Sequence, residues 1–200
     1  MKKLIALLIT LAGFVSAVTA EPLKPEKINE TVFALIGEIG GRTYENQGLN
    51  ANYGVIVTND GVILIDSGAS KQGAALIDKQ VQNLTGKKVK WVINTGSQDH
   101  RWLGNEYFIS QGAEVIALNK TVTTQKQLTS TQLDSVKAVL KDRFNGTKPG
   151  YAQKSINQND AELNLGGTKV QIKYLNHAHF EGDVVIYLPK PNIMFSGDHI

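Results

Sequence analysis

The stretch that decides the fold reads Trp91-Val92-Ile93-Asn94-Thr95-Gly96-Ser97-Gln98-Asp99-His100-Arg101-Trp102-Leu103-Gly104-Asn105. It begins inside an apolar run, residues 89–93, and changes abruptly to small and polar residues. This pattern is typical of a buried strand that leaves a sheet and enters a loop at its carboxyl end. Open α/β sheets bind ligands at that edge, so the adjacent Asp99 and His100 are placed for chemistry rather than packing.

The histidines of the chain support this interpretation, because none precedes the loop. They are His100, His177, His179 and His199, and the last three follow two later strand-like runs. A single histidine is more often a surface or hydrogen-bonded residue, but the joint pattern predicts that the fold gathers them. Imidazoles and carboxylates in a chain without cysteine suit zinc, with iron or manganese as alternatives.

The segments before the loop predict a strand–helix–strand unit. Asn59-Asp60-Gly61 is a hairpin signal between strand-like residues 53–57 and 62–65. Ser70 can cap a helix that Gly86 ends, and its apolar stripe repeats at helical spacing through Ala74, Ile77, Val81 and Leu84. The strands at 62–65 and 89–93 are therefore expected to be parallel.

The segments after the loop change from helical to strand-like patterns. Residues 105–111 predict a short helix, 114–118 a strand, and 121–144 a long amphipathic helix. A polar connector follows at 145–160. Short strands are then predicted at 163–165, 170–175, 184–188 and 193–195.

The first residues predict a secretory signal. Lys2 and Lys3 precede an apolar run at 4–15, and Val18-Thr19-Ala20 offers a cleavage site. We expect a signal peptide at 1–20, a mature domain at 21–200, a periplasmic or secreted location, and no membrane association after cleavage. Without the two leader lysines the formal charge falls from +3 to about +1, and no basic cluster predicts a nucleic-acid partner.

Several motifs together resemble the metallo-β-lactamase superfamily. The similar segments are Asn52–Val57, Asp60–Gly68, Val92–Thr95 with Gly104-Asn105, Ala178–Pro189 and Phe195–Asp198. The resemblance implies an α+β fold, the αββα sandwich of two mixed sheets with helices outside and metals at one sheet edge. It also implies incompleteness at the C-terminus, because family members usually continue beyond the position of Asp198.

The metal-binding loop departs from the family pattern His-x-His-x-Asp-His. An ungapped alignment places Gly96, Gln98, His100 and Arg101 at the positions of the three histidines and the aspartate. An alternative register matches Asp99-His100 to the family's Asp-His and needs compensating indels. Either register lacks both imidazoles of the first metal site, so we expect at most one weakly bound ion.

Two functions follow from the resemblance. The first is a secreted metal-dependent hydrolase, in which a metal-activated water attacks a carbonyl or ester bond of a small-molecule substrate. Its expected metal ligands are His100, His179 and Asp198, with Asp99 as a further ligand or as the acid that orients the water. Supporting roles in the second shell are expected for Asp66, Gln98 and His177. The alternative is a non-catalytic periplasmic module that binds a metal or another ligand on the same fold.

Overall fold

The structure is a computed structural model that describes residues 22–199; the expected signal peptide lies outside this range. The described part of the chain forms eleven strands and four α-helices. The strands are β1 Lys24–Lys27, β2 Val32–Ile36, β3 Tyr53–Val57, β4 Val62–Ile65, β5 Val89–Ile93, β6 Glu114–Leu118, β7 Lys154–Ile156, β8 Asp160–Leu165, β9 Thr168–Lys173, β10 Val185–Leu188 and β11 Ile193–Phe195. The helices are α1 Lys71–Thr85, α2 Asp99–Trp102, α3 Asn105–Ser110 and α4 Asn119–Leu140.

These strands form two sheets. The larger has seven strands within the described residues, in the order β1-β2-β3-β4-β5-β6-β7. Its pairs are antiparallel from β1 to β4 and parallel from β4 to β7. The smaller is antiparallel and has the order β11-β10-β9-β8. The mixed α+β architecture confirms the predicted fold class.

Alternation along the central strands explains the layering, because neighbouring side chains of a strand point to opposite faces. Leu64 of β4 and Val92 of β5 belong to a core cluster with Ala74 and Ile77 of α1. Ile63 and Ile93, with their neighbours Ile65 and Ile116, belong to a second cluster with Val170, Ile172 and Ile186 of the smaller sheet. One face of the large sheet therefore packs on helices and the other on the second sheet.

The helix cap, helix end and turn predicted in the first half of the chain are all present in the structure. The Ser70 hydroxyl accepts a hydrogen bond of 3.0 Å from the Gly73 N–H, and Gly86 ends α1 with a φ of 65°. The turn at 58–61 closes with a 2.9 Å bond from the Thr58 N–H to the Gly61 carbonyl. The parallel pairing of β4 with β5 is confirmed.

Four elements differ from the sequence-based expectation. α4 ends at Leu140, and Lys141–Phe144 is a separate 3₁₀ turn rather than the last turn of the helix. β1 and β7 are edge strands without an apolar run, β7 lying in the supposed connector. α2 is a single helical turn inside the loop that follows β5. Edge strands are held by backbone pairing on one side only, so their side chains leave little hydrophobic pattern.

The topology brings three chain segments to one edge of the sandwich. β4 and β5 end in parallel at Ile65 and Ile93, and β11 of the other sheet ends at Phe195. The segments that follow these strands hold Asp66, Asp99, His100 and Asp198, whereas His177 and His179 lie between β9 and β10. Among residues 22–199, no helix is both long and apolar enough to span a bilayer.

Candidate functional site

Asp66 joins the carboxyl ends of β4 and β5. It has a φ of 64° and is 1% exposed. Its carboxylate accepts 2.7 Å bonds from both the N–H and the hydroxyl of Thr95. The sequence placed Asp66 in a supporting role. Both bonds fix the start of the loop that follows β5.

A buried amide network fixes the rest of that loop. Asn94 and Asn105, at its two ends, exchange side-chain bonds of 3.0 and 2.8 Å. The Ser67 hydroxyl also donates to the side-chain Oδ1 of Asn105 at 2.8 Å. All three residues are fully buried. The loop is therefore a rigid platform, because every exchange of partners would leave a buried polar group unpaired.

Arg101 lies between two carboxylates at the floor of the site. Its Nη1 donates to Asp66 at 3.0 Å, its Nε donates to Asp198 at 3.3 Å, and its Nη2 also pairs with Asp198. The Arg101 side chain is 10% exposed. Burial alone lowers the pKa of Arg101, but the charges of Asp66 and Asp198 raise it well above its usual value. Arg101 is therefore a permanent buried cation.

The two carboxylates respond differently to this cation. Burial raises the pKa of Asp198, but the hydrogen bonds and charge of Arg101 bring it below its usual value. Burial raises the pKa of the fully buried Asp66, a tendency that Arg101 opposes. Asp198 is therefore held in its ionised form beside the guanidinium.

Asp99 has a cation of its own. Both terminal nitrogens of Arg42 donate hydrogen bonds to the Asp99 carboxylate, Nη1 at 2.6 Å. The backbone N–H of His100 also donates to this carboxylate, at 2.7 Å. Burial raises the pKa of Asp99, but His100 and Arg42 bring it below its usual value. Sequence reasoning missed Arg42, because it lies in an irregular Gly- and Asn-rich loop with no periodic signal.

Gly96 and Asp183 meet where the ungapped alignment places the family's first histidine. A Cβ built on Gly96 would lie 2.5 Å from Oδ1 of Asp183. Asp183 is fully buried, its Oδ2 accepts a 2.6 Å bond from the Phe180 N–H, and its Oδ1 has no hydrogen-bond partner. Burial raises the pKa of Asp183. No side chain fits at position 96 in this arrangement.

The remaining predicted residues are spread more widely. His100 is 7% exposed, and its Nδ1 is buried without a hydrogen-bond partner, 3.4 Å from Asp99. Gln98 precedes α2 without a capping bond. His177 is exposed and 3.5 Å from Glu181. His179 is also exposed, and its ring contacts Phe180 edge-on.

These positions allow a test of whether the site fits the metal that the family resemblance implies. Within residues 22–199, no three His, Asp or Glu side chains form a group that could hold a metal ion. Both oxygens of Asp198 accept from Arg101, and Asp66 accepts from Arg101 and Thr95. A metal would need these lone pairs and would meet a fixed positive charge. The donor set as arranged does not fit a metal centre.

A cleft of about 680 Å³ opens above this floor. His100, Arg101 and Asp198 contribute to its polar end, and Ile39, Met194 and Phe195 contribute apolar surface. Ile39 and Met194 are exposed, Met194 by 54%. The volume lies within the range of small-molecule sites, and the mixture of apolar wall and convergent polar groups is usual for them.

The fold and the position of this site define a member of the metallo-beta-lactamase superfamily. The family model matches residues 46–200, and the chain belongs to this family, as the sequence motifs predicted.

Among characterised relatives, the chain is 29% identical over 177 residues to the "Metallo-beta-lactamase type 2" of Elizabethkingia meningoseptica. That match covers 88% of this chain but 61% of the relative's length. A solved metallo-beta-lactamase from Pontibacter korlensis is similar with a TM-score of 0.67 and 18% identity, covering 87% of this chain and 70% of that one. One from Hirschia baltica has a TM-score of 0.63 and 18% identity, with 88% and 70% covered. At these identities the solved structures show the fold alone.

Proposed function

We propose that this chain is a small-molecule-binding member of the superfamily in which an arginine performs the structural task of the metal ions. The observation that carries the proposal is the buried Arg101 guanidinium between Asp66 and Asp198. It corresponds to the second of the two functions expected from the sequence, the non-catalytic module.

The charge pattern supports a structural role for Arg101. Two carboxylates at the end of a sandwich repel each other and need a cation between them. A planar guanidinium presents several donors in a fixed fork, so it can bond both groups at once. Since Asp66 follows β4 and Asp198 follows β11, the same cation joins the two sheets.

The cleft supports binding of a molecule with an apolar body and a polar end. The polar end of the lining includes His100, Asp198 and Arg101. The Nδ1 of His100 is buried 3.4 Å from Asp99, so Nε2 is the ring nitrogen left to a ligand. The apolar surface of Ile39, Met194 and Phe195 can cover the rest of the ligand. Arg101 itself has few free donors, so we assign recognition of the polar end mainly to His100.

The test combines metal analysis with an activity assay on the purified chain. We expect less than a tenth of an equivalent of zinc, iron or manganese after dialysis, and no chelator-sensitive turnover of a chromogenic lactam, a thioester or an aryl ester. A thermal-shift screen of small amphipathic molecules should then give ligands whose effect Met194→Glu removes. One tightly bound equivalent of metal together with chelator-sensitive turnover would overturn the proposal.

A one-metal hydrolase is the second candidate, favoured by the position of His100 and Asp198 in the lining of one cleft and by the influence of His100 and His179, which lower the pKa of Asp198. Its expected ligands stay His100, His179 and Asp198, zinc being preferred over iron or manganese, with Asp99 beside them. This candidate requires Arg101 to release Asp198. A zinc titration that gives one equivalent, weakened by His179→Ala but not by His177→Ala, would favour it.

Export belongs to the same proposal. We infer from residues 1–20 that the chain works in the periplasm or as a secreted protein after cleavage behind Ala20. N-terminal sequencing of exported material should start at Glu21, whereas an intact Met1 on cytosolic protein would contradict the inference.

A further inference from the structure

The sequence contains a single Asn-Gly dipeptide, Asn145-Gly146, directly after the 3₁₀ turn that ends at Phe144. Both residues of the dipeptide are exposed. Asn145 has a φ of −56° and a ψ of 133°, and Gly146 has a φ of 78°. The Thr147 N–H donates to the Phe144 carbonyl at 3.0 Å, and this geometry is typical of a type II turn. A single backbone bond therefore closes an exposed Asn-Gly turn.

The side chain of Asn145 and the backbone N–H of Gly146 are both free. The backbone N–H of Asn145 bonds to the Asp142 carbonyl at 3.0 Å, and within residues 22–199 the dipeptide makes no other hydrogen bond. The carboxylate of Asp142 accepts from the Tyr44 hydroxyl at 3.3 Å. An amide carbon and a backbone nitrogen of adjacent residues thus face solvent without a competing partner.

Two lysines lie beside the turn. A Cβ built on Gly146 would lie 3.3 Å from Cδ and 3.5 Å from Nζ of Lys71. Lys71, Gly146 and Lys148 line one cavity of about 240 Å³, to which Glu106 contributes the only carboxylate of the lining. Neither lysine forms an ion pair in the described part of the chain. Negative charge that develops on the backbone at Gly146 is therefore next to an unpaired ammonium group.

We propose that Asn145 is a site of spontaneous deamidation. The backbone nitrogen of Gly146 attacks Cγ of Asn145 and forms the nitrogen–carbon bond of a five-membered succinimide. The bond between Cγ and the amide nitrogen of Asn145 breaks, and ammonia leaves with the proton that the Gly146 nitrogen gives up. Water then adds to one of the two imide carbonyls and opens the ring, so residue 145 becomes aspartate or isoaspartate. Lys71 stabilises the anionic nitrogen and the oxyanion of the attack.

The reaction supplies a carboxylate at the start of α1. Lys71 is the first residue of α1, its N–H donates to the Thr147 hydroxyl at 3.0 Å, and the first turn of the helix has no acidic residue. An aspartate at position 145 is favourable there, because a negative charge near a helix N-terminus stabilises the helix. Isoaspartate lengthens the backbone of the turn and so displaces Thr147 from α1.

The inference is independent of the function proposed for the Arg101 cleft. The lining of that cleft includes neither Asn145 nor Gly146. Failure of the cleft to bind a ligand and failure of Asn145 to react are therefore separate results.

Peptide mapping by mass spectrometry after incubation of the folded chain at mildly alkaline pH tests the proposal. We expect Asn145 to convert to aspartate and isoaspartate at least tenfold faster than Asn157, an exposed loop asparagine followed by glutamine. Asn145→Gln should give no acidic product, because its longer side chain would have to close a larger ring. An intact Asn145 in the folded chain, after a time in which the urea-unfolded chain has converted, would overturn the proposal.

Charge variants test the contribution of the folded turn. Lys71→Gln should slow the conversion at least threefold in the folded chain and leave the rate in urea unchanged. Lys88→Gln removes the same charge at an exposed position outside this cavity and should leave both rates unchanged. Equal rates in folded Lys71→Gln and Lys88→Gln would overturn the role of Lys71.

The urea midpoint of Asn145→Asp tests the position of the product. Asn145→Asp should raise the midpoint more than Asn157→Asp, which adds the same charge far from a helix N-terminus. Equal midpoints would overturn the placement of the new carboxylate beside α1.

Discussion

Arg101 and Asp198 are 97 residues apart in sequence, yet two nitrogens of one guanidinium bind the two oxygens of one carboxylate. Arg101 follows a strand of the large sheet and Asp198 follows a strand of the small sheet. The pair therefore fastens the two layers together at the edge where the cleft opens. Asp66 adds a second anchor for the same guanidinium on the large-sheet side.

Removal of this cation should destabilise the fold. Arg101→Ala leaves the buried carboxylate of Asp66 and the partly buried carboxylate of Asp198 without their cation, and loss of one partner of a buried pair costs about 3–5 kcal/mol. We expect a decrease of that size in the free energy of unfolding, measured by urea denaturation. Arg101→Lys keeps the charge but loses the fork, and should fall between the wild type and Arg101→Ala. A loss below about 1 kcal/mol for Arg101→Ala would show that the pair is not structural.

Replacement of Arg101 by histidine should create zinc affinity. The substitution removes the fixed positive charge, frees Asp198, and adds an imidazole at the position that the ungapped alignment assigns to the family's last loop histidine. We expect calorimetry to show zinc binding to Arg101→His at least tenfold tighter than to the wild type. Lys137→His, which adds an imidazole on the exposed face of α4, is the control and should change nothing. Equal zinc affinity in Arg101→His and Lys137→His would mean that Arg101 does not occupy the metal position.

Gly96 should tolerate no side chain while Asp183 is present. The Cβ of Gly96→Ala would lie 2.5 Å from Oδ1 of Asp183, and overpacking of a rigid interior costs about 1–3 kcal/mol. Asp183→Ala should also destabilise, since it removes the acceptor of the Phe180 N–H. The double variant should lose less than the sum of the single losses, because the small residue at 183 makes room for the methyl group. Strictly additive losses in urea denaturation would contradict the steric explanation.

The elements that the sequence predicted correctly are those with local signals. The Ser70 cap, the Gly86 end of α1 and the turn at 58–61 each depend on residues within a few positions of one another. The parallel strands around α1 follow from the same local pattern. The edge strands β1 and β7 had no such signal, because backbone pairing rather than an apolar pattern creates them, β1 with the adjacent β2 and β7 with the distant β6.

The sequence predicted where the candidate site lies in the fold, but it did not predict which of its charged residues form ion pairs. The strand-end pattern placed Asp99 and His100 at one sheet edge, and the family resemblance added Asp66 and Asp198. The partners of Arg101 and Asp99 could not, since Arg42 lies 57 residues before Asp99 in a loop without periodicity. The sequence also did not predict that position 96 has no room for a side chain, because this restriction depends on the buried position of Asp183.

Tyr107 should make the fold sensitive to alkaline pH. Its hydroxyl donates a 3.0 Å bond from α3 to Asp78 on α1, and burial together with the negative charge of Asp78 raises the pKa of Tyr107 to about 12. A tyrosine in the unfolded chain ionises near pH 10, so between about pH 10 and 12 the unfolded state binds fewer protons than the folded state. The contribution of Tyr107 to stability is therefore complete below about pH 10 and is lost as the pH rises through about 12.

Urea denaturation at about pH 9 and pH 11 should show a larger loss of unfolding free energy for the wild type than for Tyr107→Phe, which has no phenol to ionise. The deeply buried Tyr53, whose pKa burial also raises, is present in both proteins and cancels in the comparison. Equal losses in the two proteins would mean that the Tyr107–Asp78 contact does not persist in solution.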